Sequence, residues 1–107
     1  MLIKLKNKNT LIVDIFKFKC CIGKKGIKKN KIEGDNATPK GTFKLIKLYY
    51  RNDRVDIPLT KIKSKAITPE LGWCDDPKSQ FYNKEIKVNN NIKHEKLFRS
   101  DYKYDYI

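Results

Sequence analysis

Residues 31–43 place two glycines, a proline and two acidic residues directly before an apolar run, and they constrain the fold more than any other stretch. The tripeptide Gly34-Asp35-Asn36 consists of residue types that tolerate a left-handed backbone. Pro39 fixes its own φ angle, and Gly41 adds a second permissive position. The spacing predicts a loop of defined backbone that leads into a strand, with Gly34 or Gly41 in a region closed to residues that carry a Cβ atom. An ordinary hairpin connection is the alternative.

The residues of this loop also form a recognisable signature. Residues 33–43 read Glu-Gly-Asp-x-x-Thr-Pro-x-Gly-x-Phe, which resembles the signature of the L,D-transpeptidase (YkuD-like) catalytic domains that cross-link peptidoglycan. The resemblance extends from the first strand to the last residue. Its other matching segments are Cys20-Cys21-Ile22-Gly23, Tyr50-Arg51-Asn52-Asp53-Arg54, Gly72-Trp73-Cys74-Asp75-Asp76-Pro77, Tyr82-Asn83 and residues 94–101. The loop positions to which the resemblance gives a structural role are Gly34, Asp35, Thr38, Pro39 and Gly41.

The resemblance implies a fold and a chemistry. The fold is a mostly β, incomplete YkuD-like β-sandwich or mixed-sheet domain with long irregular loops. The chemistry is acyl transfer between peptide stems of peptidoglycan through a cysteine thioester, without a cofactor or a metal. The location that the family implies is the cell envelope, although the basic amino terminus contains no readable signal peptide and no run long enough to span a membrane.

The family's catalytic segment has no counterpart in this sequence. In the family the nucleophile is a cysteine in a Ser/Thr-x-Gly-Cys-type segment, and a histidine that precedes it serves as the base. Cys20, Cys21 and Cys74 lie in other contexts, so we assign no catalytic residue. In the family the segment similar to residues 102–107 begins a central strand, and the catalytic residues follow it. We therefore expect residues 1–107 to form a single truncated domain that is inactive alone, with an unpaired carboxyl-terminal strand prone to self-association.

Polar and aromatic residues in the second half suggest a substrate-binding surface. Trp73 and Asp75, followed by Tyr82, would place an aromatic platform beside acids on a loop, which could hold a peptide stem or a sugar. The alternative is a capped turn with Trp73 in the core. Arg99 would join His94 on one helical turn, with the histidine at the surface beside an ion pair rather than acting as a base. The predicted substrate-binding residues are therefore Trp73, Asp75, Tyr82 and Arg99.

The strong positive charge raises the question of a polyanionic partner. The formal net charge is +13, but only three of the 25 basic residues are arginines. Base readout and bidentate phosphate contacts favour arginine, and no nucleic-acid-binding motif is present, so sequence-specific nucleic-acid recognition is not expected. Electrostatic adhesion to anionic polymers fits better. A non-catalytic module that binds peptidoglycan or another anionic polymer is therefore the alternative function.

The three cysteines favour no metal site and no ordinary disulfide. A zinc site from Cys20, Cys21, Cys74 and His94 would match none of the usual ligand spacings. Because a cysteine in an apolar strand is usually a small buried hydrophobe, we expect at least one of the adjacent pair to be buried.

Hydrophobic patterning predicts mostly strands. Residues 10–21 read as one half-buried strand, with Ile12, Phe16, Phe18 and Cys20 on one face and Asp14 as the exception to the alternation. Residues 43–50 read as a second strand, 51–69 as an irregular connection and 86–88 as a short strand. Residues 95–101 read as one helical turn.

Overall fold

The computed structural model describes all residues 1–107 and contains ten strands and no helix, which confirms the prediction of a mostly β chain. It accordingly offers no helix that could cross a membrane. The chain divides into two compact units, Met1–Phe43 and Lys44–Ile107, which are called unit 1 and unit 2 and are described separately.

Unit 1 consists of an antiparallel meander and a short parallel pair. The meander has the order β1-β2-β3, and β4 pairs with β5 in parallel. The strand bounds are Ile3–Asn7 for β1, Thr10–Val13 for β2, Phe16–Lys19 for β3, Ile27–Lys28 for β4 and Thr38–Pro39 for β5.

The prediction of one strand over residues 10–21 is wrong, because a tight turn divides this stretch into β2 and β3. Asp14, the exception in the alternation, adopts a φ of 50° there, and Val13 pairs directly with Phe16 across the hairpin. A two-residue turn reverses which positions share a face, so Phe16 and Phe18 do not share a face with Ile12 as predicted. Cross-strand pairing instead puts these apolar residues on one face: Ile3, Leu5, Leu11, Val13, Phe16 and Phe18.

The two adjacent cysteines follow this meander in unit 1. Cys20 is half-buried and Cys21 is exposed, so the expectation that one of them is buried is wrong. The backbone N–H of Cys20 donates to the Asn9 carbonyl at 3.0 Å, which extends the β2–β3 hairpin by one residue. Strand β3 therefore ends just before Cys20 and Cys21, and Cys21 is exposed to solvent.

Unit 2 contains a parallel pair and a three-stranded antiparallel sheet. Strand β6 pairs with β7, and β8 lies between β10 and β9. The bounds are Lys47–Tyr50 for β6, Lys63–Ala66 for β7, Leu71–Cys74 for β8, Glu85–Lys87 for β9 and His94–Lys96 for β10. The core of the unit is Tyr49, Ile67, Leu71 and Leu97, with Trp73, Phe98 and Tyr104 packed against it.

Sequence patterning locates the strands of unit 2 only in part. The short strand near residues 86–88 is confirmed as β9, and the strand predicted over 43–50 begins later, at Lys47. The connection over 51–69 is not irregular throughout, because it contains β7. The helical turn predicted over 95–101 is wrong, since His94–Lys96 pairs with β8 as strand β10. Pairing with a central strand outweighs the local spacing of these charged residues.

The carboxyl-terminal segment is hydrogen-bonded to β6. The N–H of Tyr49 donates to the Ile107 carbonyl and the N–H of Ile107 donates to the Tyr49 carbonyl, both at 2.9 Å. Tyr106 forms an antiparallel bridge with Tyr50. The prediction that this segment is an unpaired strand is therefore wrong, although Tyr102 remains largely exposed.

Candidate functional site

The signature loop of unit 1 is organised around the carboxylate of Asp35. Its oxygens accept backbone N–H bonds from Ile32 at 3.0 Å and from Ala37 at 2.9 Å, and Lys31 lies 3.2 Å away. The two backbone hydrogen bonds lower the pKa of Asp35 to about 2. Gly34 has a φ of 76°, which confirms that a glycine of this loop occupies the left-handed region.

Thr38 closes the same loop against the preceding turn. Its hydroxyl accepts the N–H of Gly23 at 2.8 Å, and its own N–H donates to the Gly26 carbonyl at 2.9 Å. Gly23 packs so closely against the backbone of Asn36 and Ala37 that an added Cβ would collide with it. Asp35 and Thr38 thus hold the signature loop and the preceding turn together, and we call these hydrogen bonds the brace. Sequence reasoning identifies both residues but not the close contact at Gly23.

The remaining two loop positions lie beyond this brace. Pro39 is exposed in β5, where a proline is tolerated because the pair has only two strands. Gly41 lies beside the ring of Phe43, whose nearest carbon would be 3.0 Å from an added Cβ. A Cβ at position 41 would therefore require only a small shift of this exposed ring, whereas the positive φ angle of Gly34 opposes any side chain.

In unit 2, Trp73 occupies the centre of a row that crosses three strands. It pairs with Glu85 of β9 on one side and with Glu95 of β10 on the other. Its indole N–H donates to Asn83 at 3.1 Å, and its ring meets that of Tyr49 edge to face with 6.1 Å between centroids. The predicted aromatic platform therefore lies in a strand at the margin of the core, not on a loop.

Each glutamate of this row accepts a hydrogen bond from a tyrosine hydroxyl. Tyr49 donates to Glu85 at 2.8 Å, and Lys47 and Lys65 also contact that carboxylate. These contacts, above all the Tyr49 bond, lower the pKa of Glu85 to about 2, and burial raises the pKa of Tyr49.

On the other side of Trp73, Tyr104 donates to Glu95 at 2.5 Å, and this hydrogen bond raises the pKa of Tyr104. The row thus presents two carboxylates, both held by hydrogen bonds on either side of the indole ring.

Arg99, a predicted substrate-binding residue, lies beside the same row but is already paired. Its guanidinium makes two hydrogen bonds to Asp101, at 2.9 and 2.6 Å, and lies 3.9 Å from Glu95. The bonds to Asp101 raise the pKa of the arginine. The structure therefore brings Arg99 and Trp73 to a common neighbour, Glu95, and Asp101 engages two of the arginine's five N–H donors.

The other two arginines of the chain hold the backbone that contains Arg99. Arg51 donates to the Arg99 carbonyl at 2.5 Å and to both oxygens of Asp53. Arg54 donates to the carbonyls of residues 99, 100 and 101 and to Asp105. We call Arg51, Arg54 and these carbonyls the arginine clasp. The sequence contains a signal for it, because Arg51, Arg54 and Arg99 are the only arginines of this lysine-rich chain.

The remaining predicted site residues, Asp75 and Tyr82, lie in the segment between β8 and β9. Oxygen Oδ1 of Asp75 is buried and has no hydrogen-bond partner, which is unusual for a carboxylate. The N–H of Tyr82 donates to the Ser79 carbonyl at 3.0 Å and closes a turn. Asp75 Oδ1 is the one buried side-chain nitrogen or oxygen atom of the chain that has no hydrogen-bond partner.

The cysteine and histidine of unit 2 lie opposite each other without forming a catalytic pair. Cys74 pairs with His94 across β8 and β10, yet Cys74 is fully buried and no hydrogen bond joins its thiol to the imidazole. Nδ1 of His94 lies 2.6 Å from the Ile92 carbonyl. No three metal-binding side chains converge in the chain.

Comparison with known proteins identifies the class to which this fold and loop belong. The family model of the L,D-transpeptidase catalytic domain, YkuD, matches residues 2–104. The chain therefore belongs to the YkuD family. No curated protein and no solved structure matched the chain.

Proposed function

We propose that this chain functions as part of an L,D-transpeptidase that cross-links the peptide stems of peptidoglycan. The family match over residues 2–104 is the observation that carries the proposal. In this reaction a cysteine thiolate attacks a stem carbonyl, a thioester forms and the leaving amine takes up a proton. The amine of a second stem then attacks the thioester, an amide forms, and the thiol is regenerated.

The residues described above contribute to this reaction by holding the structure and by binding, not by covalent chemistry. None of the three cysteines has a histidine hydrogen-bonded to it, and Cys74 is fully buried. In this proposal the nucleophile is none of these three cysteines. The brace around Asp35 and Thr38 holds the loop of unit 1, and the arginine clasp holds the backbone of residues 99–101 in unit 2.

The substrate side of the proposal rests on Trp73, Asp75 and Tyr82. Asp75 is half-buried, and in this proposal its carboxylate accepts an N–H of a bound peptide. Arg99 contributes indirectly in this proposal, because its guanidinium is bonded to Asp101 and it orders Glu95 beside the indole ring.

Fusing the histidine- and cysteine-bearing segment of a family member to Ile107 tests the proposal. The fusion should be acylated stoichiometrically by a carbapenem, seen as a single mass increase, and a Cys→Ser version of the added segment should not. Replacing Asp75 by Asn in the fusion should lower kcat/KM on stem peptides with little change in melting temperature. A folded fusion that neither acylates nor transfers would overturn the proposal.

A second candidate function is adhesion to an anionic polymer without catalysis. Only three of the 22 lysines, Lys31, Lys47 and Lys65, form salt bridges within the chain, so the others are available to a polyanion. The chain should then sediment with purified sacculi at low salt and be released as ionic strength rises. Retention at high salt would count against this candidate.

A further inference from the structure

The meander of unit 1 presents an apolar face and, opposite it, a basic one. Paired residues of an antiparallel sheet share a face, and so do positions two apart along a strand. The register therefore places Lys4 of β1 and Lys17 of β3 in one row, on either side of Ile12. In the next row Lys19 lies beside Thr10. We call Lys4, Lys17 and Lys19 the lysine face.

The side chains of the lysine face are free to meet a ligand. All three residues are exposed, and none of them forms an ion pair or a side-chain hydrogen bond within the chain. Strands β1, β2 and β3 contain no acidic residue, so no carboxylate of these strands neutralises the lysines. Strand spacing puts the Cα atoms of Lys4 and Lys17 roughly 10 Å apart across the sheet, and those of Lys17 and Lys19 about 7 Å apart along β3. Three uncompensated charges at this spacing suit an anion that has several charged groups.

The lysine face belongs to the more basic of the two units. Unit 1 contains 11 lysines, no arginine and three acidic residues, whereas unit 2 contains 14 basic and nine acidic residues. Of the three acids in unit 1, Asp35 is already bonded to Lys31 and to two backbone N–H groups. Asp14 and Glu33 lie outside the strands. The positive potential of unit 1 therefore attracts polyanions to the region that contains the lysine face.

The residue types on this face distinguish between polyanions. Lysine binds phosphate as a point charge, and unit 1 offers no arginine fork for bidentate recognition. Nucleic-acid bases stack on aromatic rings, but Phe16 and Phe18 lie on the apolar face. A bilayer surface would require large apolar groups beside the lysines, and Ile12 is the one apolar residue in these two rows. A flexible phosphate polymer without bases fits the lysine face best.

We propose that the lysine face binds a linear phosphate polymer that carries no bases. Successive phosphates of the polymer would accept N–H bonds from the ammonium groups of Lys4, Lys17 and Lys19. The proposal rests on the second candidate function, adhesion to an anionic polymer, and does not depend on acyl transfer. It adds to that candidate a location on the chain and a class of polymer.

Binding of end-labelled inorganic polyphosphate to the full chain, followed by fluorescence anisotropy at several salt concentrations, tests the proposal. The test variant combines Lys4→Gln, Lys17→Gln and Lys19→Gln. It should bind at least tenfold more weakly than the parent. The slope of log Kd against log salt concentration should fall by about 2, because three phosphate contacts are lost.

A charge-matched variant separates this site from attraction by net charge. It replaces by glutamine three exposed lysines of unit 2 that form no salt bridge, namely Lys61, Lys78 and Lys93. This variant should bind polyphosphate within threefold of the parent. An equal loss of affinity in both variants would overturn the site but leave adhesion by net charge standing. A parent chain that binds no polyphosphate at low salt would overturn both.

Acetylation of the parent chain gives a readout that does not depend on the variants folding. Polyphosphate should slow the reaction of acetic anhydride with the lysine face more than with Lys61, Lys78 and Lys93, as measured by peptide mass mapping. Uniform protection of all lysines would overturn the site. Stronger protection of the lysine face by oligothymidylate, or by phosphatidylglycerol vesicles, at equal phosphate concentration would overturn the choice of partner in favour of a nucleic acid or a membrane.

Discussion

The guanidinium of Arg51 lies 3.7 Å from the centre of the Phe98 ring, and Arg51 is the one charged residue that is buried, at 3% exposure. A buried cation is tolerated only when its donors are satisfied and its charge is balanced. The Asp53 carboxylate balances the positive charge, the Arg99 carbonyl accepts a further N–H of the guanidinium, and the Phe98 ring covers its face. One side chain thereby links β6 to the chain that follows β10.

The first prediction concerns this contact. Arg51→Lys keeps the positive charge but cannot reproduce the bidentate bond to Asp53, the carbonyl bond and the stacking at once. We expect thermal unfolding monitored by circular dichroism to shift down by several degrees. Lys61→Arg, at an exposed position, is the matched control and should melt like the parent. An unchanged melting temperature for Arg51→Lys would show that the clasp does not stabilise the fold.

The second prediction is that the free energy of unfolding depends on pH because Glu85 titrates. Its pKa falls from 4.5 to about 2 in the folded chain, so the stability it contributes is fully present above pH 4.5 and is lost as the pH falls toward 2. Urea unfolding of Glu85→Gln should therefore show its largest difference from the parent above pH 4.5, and the difference should shrink below it. If Glu70→Gln, which removes a carboxylate without an ion pair, shows the same profile, the contacts of Glu85 are not the cause.

The third prediction tests the left-handed position of the signature loop. Gly34 has a φ of 76° and open space around it, so a side chain there is opposed by backbone strain and not by a clash. Gly34→Val should lower the free energy of unfolding by about 1–3 kcal/mol. Gly34→Asn should lose less, because asparagine enters this region more readily. Equal melting of the two variants and the parent would mean that the loop imposes no backbone constraint.

The fourth prediction tests the close approach at Gly23. Here an added Cβ would meet the backbone of Asn36 and Ala37, which cannot move aside as a flexible side chain could. Gly23→Ala should cost about 1–3 kcal/mol by overpacking. Gly26→Ala, with no atom near its Cβ but a φ of 77°, separates strain from collision. A Gly23→Ala variant as stable as the parent would contradict the packing described for this loop.

The fifth prediction concerns the thiols. In the folded chain iodoacetamide should modify Cys21 first, because Cys21 is exposed, and the half-buried Cys20 more slowly. It should reach Cys74 only in denaturant, because Cys74 is buried. A carbapenem should add no stoichiometric mass, since a thiol without an adjacent base is a weak nucleophile. Peptide mapping locates any adduct. A carbapenem adduct on Cys74 would place catalysis at the β8–β10 pair.

The features that sequence alone determined are those that depend on neighbours along the chain. The loop around Asp35 follows from residues whose backbone preferences act within a few positions, so its glycine and its acid can be assigned from the local sequence. The predominance of strands likewise follows from local alternation and aromatic content.

Tertiary structure decided what local pattern leaves open. Residues 10–21 alternate equally well as one strand or as two, and only the turn at Asp14 shows which residues share a face. Trp73 is the centre of a row because β9 and β10 pair on either side of it. Arg51 and Phe98 are far apart in the sequence, and no propensity encodes their contact, because the free energy favouring it arises only when the core of unit 2 brings both residues together.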